Sequence, residues 1–237
     1  MKVAIIMPAY NEEERIEKTL REYTKFLRKN KVNFEINVII NNTSDNTEKI
    51  VKNYSKSNKE IRYLNFKQGG KGFAITEGFK DSLKRKNDLI GFVDADMATS
   101  PEAFYDLIKN IDESDGIIAS RYVPGAIIKQ KQPLNRVIVS RIGNLIIRVL
   151  FWMNYRDTQA GAKLFKRKPL KKVIPNLSVS HWAFDVDLLY QFKKQKFKII
   201  EYPTIWENKE GSKLNLKKAS IQVLLSLIKL RISNILK

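Results

Sequence analysis

The chain has 237 residues, 43% of them hydrophobic, and a formal net charge of +19. That length supports one substantial core, so a single domain over 1–237 is expected, and Gly and Pro are too scarce for a fibrous or disordered chain. The absence of cysteine excludes disulfides and thiolate metal sites, and the positive charge points to anionic partners: nucleic acid, acidic lipid or phosphorylated small molecules.

Residues 3–7 form a continuous apolar run that reads as a buried strand rather than as the core of a signal peptide. Within 12–29, Ile16, Leu20, Tyr23 and Leu27 recur at helical spacing. A strand at 34–40 follows, then a polar turn at 41–46 and a helix at 47–54. Ile61–Phe66 and Leu89–Val93 are the next strands, separated by a helix over about 72–84. Pro101 suits a first helical turn and opens a helix at 102–111. This alternation predicts an α/β fold: a Rossmann-like, mostly parallel sheet covered by helices. Ligands of such sheets lie beyond the carboxyl ends of the strands.

From Gly116 the pattern changes. One more strand, 117–120, ends at Arg121. Residues 134–153 are almost wholly apolar but carry Arg136, Arg141 and Arg148. A helix over 184–193 and a strand at 197–202 precede a long amphipathic helix at 217–237. No stretch reaches the roughly 20 uninterrupted apolar residues of a membrane span. A soluble or peripherally attached protein is therefore expected, with a nucleotide-facing half (1–120) and an acceptor- and membrane-facing half (121–237).

The chemistry concentrates in turns. Asp94-Ala95-Asp96 follows an apolar strand, so two carboxylates one residue apart can address one hard cation; Mg²⁺ or Mn²⁺ would complete its shell with diphosphate oxygens and water. Pro8-Ala9-Tyr10-Asn11-Glu12-Glu13 follows the first strand, Asn42-Thr43-Ser44-Asp45-Asn46-Thr47 the second, and Gly69-Gly70-Lys71-Gly72 opens a helix. Tyr10 offers a flat ring to a base, and Glu12 can accept from ribose or base donors. The paired glycines let backbone approach a phosphate, to which Lys71 adds a point charge.

These four turns, in this order, resemble those of the family 2 glycosyltransferases with the GT-A fold. The resemblance implies that Pro8, Ala9, Tyr10, Glu12, Asn42, Lys71, Asp94, Ala95 and Asp96 bind a nucleotide-diphosphate sugar, with the metal on Asp94 and Asp96. Two positions depart from the pattern: Asn41-Asn42 stand where paired aspartates are usual, and Ala98 occupies the place of a Gln that assists coordination in many relatives.

In the second half, Ser120-Arg121-Tyr122, then Arg136 and Ser140, then the run from Asp157 to Phe165, and finally Gly211-Ser212-Lys213-Leu214 are similar to segments of dolichyl-phosphate mannose synthases and, more closely, of dolichyl-phosphate glucosyltransferases. The resemblance implies that Arg121, Arg136, Ser140 and Lys213 meet the phosphate of a polyprenyl (dolichyl) phosphate acceptor, with Arg121 and Arg136 joining Asp94 and Asp96 as catalytic groups. UDP-glucose is the favoured donor and GDP-mannose the alternative. Arg and Lys suit an anionic oxygen, and an ionised phosphate attacks without a general base, so inversion by in-line attack is expected and no base is assigned.

A hydroxyl acceptor would instead need a carboxylate, for which Asp157, Asp185 and Asp187 are the candidates. That alternative is a soluble family 2 enzyme acting on a saccharide; a second is a non-enzymatic nucleotide-sugar-binding protein. His181, the only histidine, has no assigned role, and Trp152, Trp182 and Trp206 read as packing or interface anchors. The arginine-bearing apolar helix and the basic tail suit an anionic membrane surface, with guanidinium groups snorkelling to phosphates. The expected location is the cytoplasmic face of a membrane. Nucleic acid is not expected, since neither a stacking-aromatic signature nor zinc spacing is present.

Overall fold

The computed structural model describes residues 1–129, 134–178, 183–207 and 216–235; at 135, 136, 216–224 and 235 it describes the helix backbone alone. In chain order the elements are β1 (Lys2–Ala9), α1 (Ile16–Lys29), β2 (Asn33–Asn41), α2 (Thr47–Ser57), β3 (Ile61–Phe66), α3 (Lys71–Leu83), β4 (Leu89–Val93), α4 (Pro101–Asn110), β5 (Gly116–Ser120), β6 (Ile127–Ile128), α5 (Leu134–Phe151), β7 (Ala162–Lys166), α6 (Arg167–Val173), α7 (Phe184–Lys194), β8 (Ile199–Pro203), β9 (Ile205–Trp206) and α8 (Leu216–Ile235).

Seven strands form one sheet in the order β3-β2-β1-β4-β7-β5-β8, and β6 pairs with β9 in a small second sheet. All neighbours in the large sheet are parallel except β7, which runs antiparallel to both β4 and β5. β7 lies between β4 and β5, so strands from residues 1–120 and from residues 121–237 share one sheet. The fold is the expected α/β architecture. After β1 the chain builds outward through β2 and β3, then returns to add β4 on the other side; a crevice at such a reversal is where open α/β sheets take their ligands.

Period-two alternation sorts the strand side chains between two cores. Val3, Ile5 and Met7 point to the side covered by α1, α2 and α4, while Ala4 and Ile6 point to the side covered by α3 and α5–α8. α4 starts where expected: Ser100 caps it through its hydroxyl to Ala103 N–H, and Pro101 occupies the first turn. α1 begins four residues later than expected, because Glu12 to Arg15 form a separate turn tied to the loop after β2.

On α5, Asn144, Ile147 and Phe151 are buried, while Leu134, Ile138, Ile142, Leu145 and Val149, with Trp152 just beyond, are exposed. Their spacing of 3 and 4 residues draws one apolar stripe down the outer face. α8 buries Leu227 and Leu230 and exposes Leu225, Ile228 and Ile232. Among the described residues no helix is long and apolar enough to cross a membrane.

Candidate active site

Four loops meet at the carboxyl ends of β1, β2, β3 and β4, around a cavity of about 690 Å³. It is lined by Pro8, Tyr10 and Glu12 after β1, Asn41 and Asn42 at the end of β2, Gly69 to Lys71 at the start of α3, and Asp94 to Asp96 after β4, with Arg15 at its edge. Of the nine residues expected to bind the donor, Ala9 alone is not in the lining; it is fully buried, so its side chain belongs to the core and only its carbonyl serves the site. Asn41 supplies the reason: with its amide oriented to satisfy both partners, it donates to Ala9 O and accepts from Gly70 N–H, each at 3.1 Å. One buried amide therefore fastens three loops together.

The first two turns are laced directly. Ser44 N–H donates to Asn11 Oδ1 at 2.9 Å, Glu12 N–H to Thr47 Oγ1 at 2.8 Å, and Glu13 N–H to Asp45 Oδ2 at 3.1 Å. Asn11 and Asn42 both have φ 53°, a left-handed conformation that Asn tolerates better than most residues. That is a backbone reason for amides at these strand ends, including at Asn42, where the family pattern has an aspartate. Gly70 has φ 121°, which only glycine adopts readily.

The acidic loop is braced from beneath by α1. Thr19 Oγ1 donates to Ala95 O at 2.7 Å and Tyr23 Oη to Thr99 O at 2.8 Å. Asp96 Oδ1 accepts from Ala98 N–H at 2.9 Å, and Met97 between them has φ 60°, a conformation uncommon for residues other than glycine. Gly161 stands against Asp94: its carbonyl accepts from Asp94 N–H at 3.1 Å, and a β-carbon there would lie 2.9 Å from Asp94 Cγ.

Charge in the cavity is arranged around Asp94. Lys71 Nζ lies 2.5 Å from Asp94 Oδ1. Burial works against the Lys71 ammonium, but Asp94, Asp185 and Asp96 outweigh it and hold the group above the ordinary lysine range. Burial raises the Asp94 carboxyl, Lys71 opposes that, and Asp96 adds to it. Glu12 is raised by burial even though Arg15 grips both its oxygens, at 2.6 and 2.9 Å. Glu12 therefore reaches the cavity as half of an ion pair rather than as a free acceptor.

A divalent cation fits this donor set. Among the described residues no three His, Cys, Asp or Glu side chains gather around one point; the two carboxylates expected to hold the cation, Asp94 and Asp96, both line the cavity. The rest of the shell would come from diphosphate and water, the habit of Mg²⁺ and of Mn²⁺.

Arg121 is placed apart from the cavity. Its Nε and Nη2 donate to Asp157 at 2.8 and 2.9 Å, and its backbone N–H to the same carboxylate at 2.9 Å. Its guanidinium also stacks on Tyr122 and on Trp206, 5.2 and 5.3 Å from the ring centroids. Arg141, on α5, lies 4.6 Å from the Tyr122 ring, so the N-terminal half of α5, where Ser140 also sits, comes up beside Arg121. β9 links this cluster to the acidic loop: Trp206 bridges to Thr99, and Glu207 N–H donates to Ala98 O at 3.2 Å. Lys213, with Gly211, Ser212 and Leu214, and likewise His181 and Trp182, lies outside the described residues, as does the side chain of Arg136.

The three carboxylates considered as bases are all engaged. Asp157 is held by Arg121. Asp185 takes Lys163 Nζ at 2.6 Å in the interior, and Asp187 accepts from Ser178 N–H at 2.7 Å and from Gln191 Nε2 at 3.0 Å. Sequence reasoning missed Arg15, the approach of Arg141 to Tyr122, the clearance at Gly161 and the fastening role of Asn41. Only the run of small residues from Ala160 to Ala162 hinted at a close approach.

Residues 4–174 match the family model described as Glycosyl transferase family 2. The chain is a family 2 glycosyltransferase. The glycosyltransferase is 31% identical over 244 residues to the dolichyl-phosphate beta-glucosyltransferase of Dictyostelium discoideum, covering 97% of this chain and 73% of the relative. It is 32% identical to the Saccharomyces cerevisiae protein of that name, covering 99% and 75%. Its fold matches glucosyl-3-phosphoglycerate synthase of Mycobacterium tuberculosis, solved with Mn²⁺, UDP and phosphoglyceric acid, at a TM-score of 0.71 and 16% identity over 97% of this chain and 78% of that one. The fold is GT-A.

Proposed function

We propose that this glycosyltransferase moves glucose from UDP-glucose to a polyprenyl phosphate of the dolichyl type, inverting the anomeric centre, at the cytoplasmic face of a membrane. The observation that carries the reading is the cavity where Tyr10, Asn42, Lys71, Asp94 and Asp96 converge. The names of the curated relatives support the sugar and the acceptor. In this reading residues 1–120 serve the donor and 121–237 the acceptor and the membrane.

Tyr10 and Asn42 take the base, and the backbone at Gly69 and Gly70 approaches the diphosphate. Asp94 and Asp96 hold Mg²⁺ or Mn²⁺, which when bound supplies positive charge to the leaving diphosphate. Lys71, kept protonated by its carboxylate neighbours, adds a fixed charge to the same oxygens. The acceptor phosphate brings its own negative oxygen, so no side chain has to remove a proton, in keeping with the commitment of Asp157, Asp185 and Asp187 to other partners. Arg121, Ser140, Arg136 and Lys213 receive that phosphate, and Arg141 stands beside Arg121 across Tyr122. The exposed stripes on α5 and α8 meet the lipid surface, where basic side chains are drawn to anionic headgroups.

The test incubates the protein with UDP-glucose or GDP-mannose, a short polyprenyl phosphate and Mg²⁺ or Mn²⁺, with and without chelator, and reads lipid-linked hexose by mass spectrometry. Hexosyl polyprenyl phosphate from UDP-glucose, lost with chelator and restored by metal, is the expected result. Product on saccharide hydroxyls with none on polyprenyl phosphate overturns the acceptor. Nucleotide-sugar binding without turnover overturns the activity.

A further inference from the structure

A second cavity, of about 380 Å³, lies where the end of α5 meets α7 and α8 and shares no lining residue with the first. It is lined by Phe151, Trp152, Tyr190, Lys193, Lys194 and Arg231. Phe151 and Tyr190 form its buried floor, with their rings 5.0 Å apart edge to face. The three cations spend their hydrogen bonds on neutral oxygens. Lys193 donates to the carbonyls of Phe151, at 3.1 Å, and Trp152; Lys194 donates to Asn234 Oδ1 at 3.3 Å, and Arg231 to the Tyr190 hydroxyl at 3.0 Å. Among the described residues none of the three is paired with a carboxylate. Three positive groups around one opening, with no counter-charge of their own, make a site for an anion.

The surroundings say which anion. The outer stripe of α5 runs about 27 Å, at 1.5 Å per residue, and ends at this cavity. At its end Trp152 is 78% exposed and held at φ 54°, a conformation costly for a bulky residue. A tryptophan turned outward between apolar and cationic surface has the amphipathic character of an interfacial anchor. A soluble anion would explain the cations but not the stripe or the tryptophan. A second copy of this chain would bring its own net charge of +19 against the same cations.

We propose that this cavity binds the phosphate of an anionic membrane lipid, pinning the C-terminal end of α5 to the bilayer. The inference rests on the membrane-surface reading above and deepens it. Residues 136 and 152 are separated by about 24 Å along the helix. Contacts with lipid phosphate at both ends hold α5 flat on the surface, so that the acceptor is met from a fixed direction.

The test is co-sedimentation of the full chain with phosphatidylcholine vesicles, with and without phosphatidylglycerol. Lys194→Ala/Arg231→Ala removes two charges from the cavity and leaves the carbonyl bonds of Lys193 in place. Lys52→Ala/Lys56→Ala removes two exposed charges from α2, on the opposite face of the sheet, and serves as the control. The cavity variant should lose partition to the anionic vesicles roughly tenfold or more, and the control less than about twofold. Both should keep the wild-type melting temperature and UDP binding. Trp152→Ala, which removes no charge, should weaken partition as well. Equal losses in the two double variants, or no loss in the cavity variant, overturn the proposal. So does competition by inorganic phosphate at constant ionic strength, which marks a soluble-anion site. Vesicle binding is read without turnover, so failure of polyprenyl phosphate as acceptor and failure of this site are separate results.

Discussion

At Gly161 the carbonyl accepts from Asp94 N–H, and the space a side chain would need is already filled by the Asp94 carboxylate. An added methyl meets the movable end of a side chain rather than backbone, so Gly161→Ala should fold and still misplace Asp94. Displacements of this size cost about a hundredfold in rate; kcat should fall by one to two decades while the melting temperature changes little. Unchanged kcat would mean that Asp94 is not held where its chemistry requires. Asp157 is the other residue whose surroundings decide its role. Three donors from Arg121 converge on its buried carboxylate, so Asp157→Asn should cost about 1.5–3 kcal/mol of stability and leave the acid limb of the pH–rate profile where it was. Loss of that limb would make Asp157 a base and restore the hydroxyl-acceptor alternative. Asp94, Asp96, Lys71 and Tyr10 were legible in the sequence because each follows or precedes an unmistakable element. The grip of Asp157 on Arg121 was not, because the two are 36 residues apart and only the fold brings them together.

Among the elements, β1 and β4 could be read directly, since each is buried along most of its length and is written as an apolar run, whereas β3, at the sheet edge, exposes Arg62 and Asn65 and was read from its β-rich composition. β7 was not read, since Ala162–Lys166 carries two lysines in five residues, and neither was its antiparallel course between β4 and β5. Strand direction is set by the path of the preceding chain, and residues 121–161 carry no periodic signal for that return. α6 is only 7 residues long, too short for helical periodicity to register. α5 could be read as apolar and arginine-bearing, whereas which of its faces packs inward depended on the position of α8 and α7. That division predicts opposite outcomes for neighbouring residues. Ile147 is 1% exposed, while Leu145 and Val149 are 57% and 66% exposed. Ile147→Ala should therefore cost about 2–5 kcal/mol, and Leu145→Gln/Val149→Gln should stay within about 0.5 kcal/mol per site, as measured by urea denaturation. A large loss in the glutamine variant would mean that the outer stripe packs against protein.

At the scale of the whole molecule the two sides of the sheet differ in kind. One side carries α1, α2 and α4; the other carries α3 and α5–α8, including both exposed apolar stripes. In the proposed attachment to a membrane, the net charge of +19 would give long-range attraction to an anionic surface and the stripes short-range burial, and the two respond differently to salt. The screening length falls from about 10 Å at 0.1 M to about 3 Å at 1 M, whereas the transfer of apolar side chains out of water is not weakened by screening. Partition of the wild type to acidic vesicles should therefore drop as KCl is raised over that range but level off above zero. The Leu145→Gln/Val149→Gln variant, which keeps every charge, should bind nearly as well at low salt and lose the residual binding at high salt. If the wild type detaches completely at high salt, the stripe does not enter the bilayer and the attachment is electrostatic alone. If salt changes nothing, the cations are bystanders and the apolar faces carry the contact by themselves.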